Sequence, residues 1–63
     1  MVILTQFLNE KRWVATSTED ALKIIQDEMP QTDAKATLDY IISQIKNGKT
    51  ITLGECKFKI QEG

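Results

Sequence analysis

The sequence predicts an α+β domain in which two or three amphipathic helices pack on a small antiparallel sheet. A polar–apolar alternation around Gly54-Glu55 indicates a C-terminal β-hairpin. Two stretches of helical periodicity precede it, one on each side of the single proline, Pro30. Since no repeat, low-complexity tract or linker interrupts the chain, we expect residues 1–63 to form one compact domain.

The N-terminal segment, residues 1–16, fits two predictions. Four of its apolar residues have helical spacing: Ile3, Leu4, Phe7 and Leu8. The β-branched and aromatic content of the same segment equally fits a strand. We favour a helix at the start of this segment and a short strand over residues 13–16. The element order is then α, β, α, α, β, β, whereas a first strand over residues 2–8 would give the alternative order ββααββ.

A helix is predicted over residues 17–29. Ser17, followed three residues later by Asp20, makes a variant of the capping box that opens helices. Pro30 disfavours the helical conformation for the residue before it and therefore ends the helix. The apolar face of this helix comprises Ala21, Leu22, Ile25 and Met29.

A second helix is predicted to run to Asn47, capped by Thr32 or Asp33. Gly48 follows it, and glycine adopts the left-handed conformation common at helix ends. At helical spacing the apolar side chains of this helix lie on one stripe about 100° wide. They are Ala34, Leu38, Ile41, Ile42 and Ile45. We therefore expect this helix to face the core.

The C-terminal hairpin is predicted to turn at Gly54-Glu55, where glycine in the first position suits a type II′ turn. The register pairs Leu53 with Cys56, Thr52 with Lys57, Ile51 with Phe58 and Thr50 with Lys59. One face of the hairpin is then apolar, whereas the other carries two threonines and two lysines.

Composition excludes several classes of protein. The single cysteine, Cys56, cannot form an internal disulfide, and the absence of histidine removes the usual zinc ligands. We therefore expect no metal, and the cytoplasm as location. No apolar run approaches the roughly 20 residues that span a bilayer, so no membrane partner is expected. The formal net charge of −1 lacks the basic excess of a nonspecific nucleic-acid binder.

Enzyme chemistry finds little support in the sequence. Two carboxylate pairs are present, Glu19/Asp20 and Asp27/Glu28, but general acid–base catalysis needs convergent groups in a pocket. Cys56 has no histidine to activate it, and no glycine-rich phosphate loop occurs. We expect no catalytic residue and no cofactor.

Two apolar residues fall outside the core stripes and suggest a protein interface. Tyr40 projects almost opposite the apolar face of its helix, beside neighbours that are small and uncharged, and Ile24 lies well to the side of the stripe on the preceding helix. Alternatively, Phe7 or Trp13 packs over one of them. The predicted interface comprises Ile24, Tyr40, Ser43 and Asn47.

These observations favour a small non-catalytic interaction or regulatory protein that acts through protein–protein contacts. We expect it to self-associate, because a core of this size contributes little net stability. Its size is that of phage, plasmid and microbial accessory factors.

The predicted order α, β, α, α, β, β resembles that of a winged-helix domain. The resemblance implies that the helix beginning near Asp33 reads DNA and that the hairpin forms the wing. The segment around the hairpin is basic, because it has four lysines and only one glutamate, Glu55. The lysines are Lys46, Lys49, Lys57 and Lys59. A DNA-binding regulator that uses this hairpin is therefore the alternative function. Outward lysines also protect an exposed sheet edge from aggregation, which is the interpretation we favour.

Overall fold

The computed structural model describes residues 2–61 and confirms the α+β class, with two helices on a four-stranded antiparallel sheet. The sheet order is β2-β1-β4-β3, so the central β1–β4 pair joins an N-terminal hairpin to the C-terminal one. The elements are β1 (Ile3–Phe7), β2 (Val14–Thr16), α1 (Thr18–Glu28), α2 (Ala34–Ile45), β3 (Ile51–Leu53) and β4 (Cys56–Ile60).

The first element is a strand, so the helix favoured for the N-terminal segment is wrong and the alternative order ββααββ is correct. β1 is a central strand that pairs with β2 on one side and β4 on the other. Its backbone groups therefore find partners on both sides, which a single short helix at the N-terminus would not provide. Because no helix precedes the first strand among the described residues, the winged-helix order is not formed.

The two predicted helices are confirmed. Ser17 caps α1, its Oγ accepting a hydrogen bond from the Asp20 amide at 3.1 Å. Asp33 caps α2, where its Oδ1 accepts from the backbone amides of Lys35 and Ala36 at 3.1 and 3.2 Å. α2 ends at Ile45 rather than at Asn47, because the chain tightens there into a turn that closes at Gly48, whose φ is +84°.

The predicted hairpin register is confirmed for Ile51–Phe58, Thr52–Lys57 and Leu53–Cys56. The predicted pair of Thr50 with Lys59 lies beyond the end of this ladder, since β3 begins at Ile51. Gly54 has φ +58°, and no non-glycine residue in the described range has a positive φ. Only the first turn residue is thus left-handed, as a type II′ turn requires.

The core lies between the helices and one face of the sheet, which we call the inner face. Its buried apolar residues are Ile3, Cys56 and Phe58 from the sheet and Ala21, Ile25, Ala34, Leu38, Ile41 and Ile45 from the helices. Each large side chain buried there contributes roughly 1.5 to 3 kcal/mol of transfer free energy.

Within residues 2–61, neither helix has the length and apolarity needed to cross a bilayer.

Candidate functional site

The face of the sheet away from the helices, here called the outer face, carries no second layer from either helix. Strand side chains alternate, and those of Ile3, Thr5 and Phe58 point to the inner face, where they are buried. The intervening side chains belong to the outer face and are half-buried or exposed. They are Leu4, Gln6, Ala15, Thr52, Lys57 and Lys59.

Trp13 and Lys59 meet on the outer face. The Lys59 Nζ lies 4.4 Å from the centroid of the Trp13 ring, a cation–π contact. Leu4 is opposite both Ala15 and Lys59 in the ladder, so the contact between Lys59 and the ring spans β1. The pair therefore spans the position of the half-buried Leu4 and holds an ammonium group over the ring on the outer face.

The four lysines of the predicted nucleic-acid site fall into two groups. Lys57 and Lys59 are on the outer face, where both are half-buried. Lys46 and Lys49 are exposed in the connection between α2 and β3. A depression of about 410 Å³ lies between this connection and the outer face. Its lining residues are Leu4, Gly48, Thr50, Lys59, Ile60 and Gln61.

Charge is divided between the two layers of the domain. The helical layer, residues 17–45, holds six carboxylates and two lysines, an excess of four negative charges. The rest of the described chain, residues 2–16 and 46–61, holds six basic residues and two glutamates, an excess of four positive charges. None of the outer-face residues is acidic. The formal net charge of −1 therefore conceals a basic sheet layer and an acidic helical layer.

Three residues of the predicted protein interface form one strip along α2 and its C-terminal turn, here called the Tyr40 strip: Tyr40, Ser43 and Asn47. The Tyr40 side chain is 58% exposed. The Ser43 Oγ donates to the Tyr40 carbonyl at 2.7 Å, and the Asn47 Nδ2 donates to the Ser43 carbonyl at 3.1 Å. Because these polar groups bond within their own segment, an exposed aromatic dominates the strip.

The fourth predicted interface residue, Ile24, is half-buried and packs against the core. Part of its surface therefore belongs to the interior of the domain. Trp13 covers neither Ile24 nor Tyr40, because its ring contacts Lys59 on the outer face, away from the helices. Phe7 also packs against the core, from the inner face.

Cys56 is fully buried on the inner face, where its Sγ donates to the Lys57 carbonyl at 3.7 Å. Burial raises the pKa of the Cys56 thiol to about 11, although a backbone hydrogen bond from Gln6 opposes the rise. The thiol is thus protonated at neutral pH and is a poor nucleophile. Among residues 2–61 no three His, Cys, Asp or Glu side chains converge as metal ligands.

Neither Trp13 nor Leu4 is among the functional residues predicted from the sequence. Trp13 is the first residue of the strand predicted over residues 13–16, and that position was the available signal of an outward aromatic. Its partner, Lys59, is 46 positions further along the chain, and the contact depends on the intervening strand β1.

Comparison of the chain with protein-family models, with curated proteins and with solved structures found no significant match.

Proposed function

We propose that this protein is a small non-catalytic interaction module that acts through protein–protein contacts and associates with itself through the Tyr40 strip. The observation that carries the proposal is the exposure of Tyr40 on a helix whose opposite face forms the core. Exposed aromatic rings are enriched at protein interfaces, where they bury a large area and lose little conformational entropy.

The neighbours of Tyr40 suit a close helix–helix contact. Ala36 and Ser43, which lie one turn away on either side, are small and exposed, so they let a second helix approach the ring. The hydroxyl of Ser43 already donates within α2, so its burial in a contact leaves no donor without a partner. Two copies of α2 packed against each other would therefore bury the ring with little polar cost.

Self-association also suits the size of the domain. A chain of 63 residues has a small core, and partner binding stabilises the folded state by mass action. The only cysteine is a buried free thiol, which is compatible with the reducing cytoplasm we propose as its location.

Sedimentation velocity from micromolar to hundreds of micromolar protein tests the proposal. The wild type should pass from monomer to dimer across this range, whereas Tyr40→Ala should remain monomeric with a nearly unchanged thermal midpoint. Gln26→Ala, an exposed substitution on α1, is the matched control and should dimerise as the wild type does. A wild type that sediments as a 7.2 kDa monomer at every concentration would end the proposal.

A further inference from the structure

We propose that the outer face of the sheet is a binding surface for single-stranded nucleic acid. This inference goes beyond the proposed function, because the surface lies on the layer opposite the Tyr40 strip. The outer face presents one aromatic ring and two lysines, and no carboxylate among its residues. Such a combination suits a ligand that has both flat apolar surfaces and negative charge.

The ladder places the binding groups in two adjacent rows. Gln6 is opposite Lys57, and Trp13 directly precedes the residue that pairs with Thr5, the neighbour of Gln6. The next row holds Leu4 opposite Lys59. Trp13 and the two lysines therefore occupy neighbouring ladder positions across three strands. The whole sheet is about 14 Å wide, enough for two or three nucleotides.

The contact between Lys59 and Trp13 suggests how a nucleotide binds. In the free protein the Lys59 Nζ occupies the space 4.4 Å above the ring. A base that stacks on Trp13 brings its own phosphate close to this ammonium group, which moves from the ring to the phosphate oxygens. A cation–π contact is thereby exchanged for base stacking and an ion pair, both typical of single-strand recognition.

The division of charge favours a polyanion on this side of the molecule. The basic sheet layer attracts phosphates, and the acidic helical layer repels them. The nucleic acid is therefore guided to the outer face. The depression beside Lys59 adds space for the backbone, and the exposed Lys49 is in the connection that borders it. Single strands are favoured over duplexes, because only unpaired bases expose a face that can stack on a ring.

Trp13 is the only tryptophan, so its fluorescence reports directly on this surface. Titration with a short oligothymidylate at low salt should quench the emission saturably, and the affinity should fall linearly with the logarithm of salt concentration. Lys57→Glu combined with Lys59→Glu should weaken binding by tenfold or more and reduce the salt slope by about 1.4, since each phosphate contact on a single strand contributes about 0.7.

The matched control reverses the same number of charges on the other layer. Lys23→Glu with Lys35→Glu changes two exposed lysines of the helices and should leave the salt slope unchanged. Trp13→Phe should retain binding and Trp13→Ala should lose about tenfold, both measured by the anisotropy of a labelled oligonucleotide. If the double glutamate variant unfolds by circular dichroism, Lys57→Gln with Lys59→Gln replaces it.

Several results would overturn the inference. Absence of saturable quenching at low salt would overturn it. Equal losses of affinity in the two charge-reversal variants would do the same. Polyglutamate that binds as tightly as the oligonucleotide would indicate an acidic protein partner instead, and equal affinity for duplex DNA would exclude recognition by stacking. Tyr40→Ala should leave binding of a short oligonucleotide unchanged, so failure of this inference is distinguishable from failure of the proposed self-association.

Discussion

The hydroxyl pair between β1 and β2 predicts an unequal response to two similar substitutions. Thr5 is 3% exposed, and its Oγ1 is 2.7 Å from the Oγ1 of the half-buried Thr16. The Thr16 Oγ1 in turn donates to the Val14 carbonyl at 3.2 Å. A hydroxyl has one proton, and the bond to the Val14 carbonyl uses that of Thr16. We therefore assign Thr5 as the donor of the pair.

This direction decides which substitution costs more. Thr5→Val removes a donor, and the Thr16 hydroxyl keeps its bond to Val14, so the free energy of unfolding should fall by about 1 kcal/mol. Thr16→Val removes the acceptor and leaves a buried hydroxyl at Thr5 with no partner, which should cost about 2 to 3 kcal/mol. The less buried residue of the pair is thus the more costly one to replace.

Thermal unfolding followed by circular dichroism measures these differences, because about 1 kcal/mol shifts the midpoint by about 7 °C in a domain of this size. The double variant should be no less stable than Thr16→Val alone, since valine at both positions leaves no unpaired hydroxyl. The assignment of donor and acceptor is refuted if Thr5→Val is the more destabilising single substitution, or if the two effects simply add.

Two further predictions concern the hairpin. The raised pKa of Cys56, caused by burial and increased by the nearby Glu28 and Glu10, means that the unfolded state loses this proton first as the pH rises. Stability should therefore decline from pH 9.0 towards about 11, by up to about 3 kcal/mol, in denaturant titrations of the wild type and not of Cys56→Ala. Gly54→Ala should cost about 1 to 2 kcal/mol because its φ is +58°. A Cβ there would also lie 2.9 Å from the Glu28 Oε2, but this flexible carboxylate can move, so Glu28→Ala should not rescue the variant in thermal unfolding.

The local elements of this fold could be predicted because their signals are short. Ser17 and Asp33 cap helices through their own side chains, and Gly54 sets the turn that fixes the hairpin register. The N-terminal strand could not be predicted in the same way. Ile3 and Phe7 are four residues apart, a spacing that puts them on one face of a strand as well as of a helix. What selects the strand is pairing with β4, about fifty positions away.

The two candidate surfaces also differ in whether local sequence signals could predict them. The exposure of Tyr40 follows from its angle on a helix whose core face is evident, so sequence reasoning located it. The contact of Trp13 with Lys59 requires that β1 separate β2 from β4, and the favoured N-terminal helix removed that strand from the sheet. Summation of charge over the whole chain likewise concealed the basic layer, because residues 2–16 join residues 46–61 only through the sheet topology.

The division of charge gives the two proposed contacts opposite responses to salt. Association through the Tyr40 strip brings together two helical layers that each carry an excess of four negative charges. Their repulsion weakens as salt shortens the screening length, which is about 8 Å at 0.15 M, so dimerisation should strengthen with salt while the apolar contact at Tyr40 persists. Nucleic-acid binding at the outer face releases counterions and should weaken over the same range. A contact made between the acidic layer of one copy and the basic layer of another would instead weaken in parallel with nucleic-acid binding, and the two would compete for the outer face.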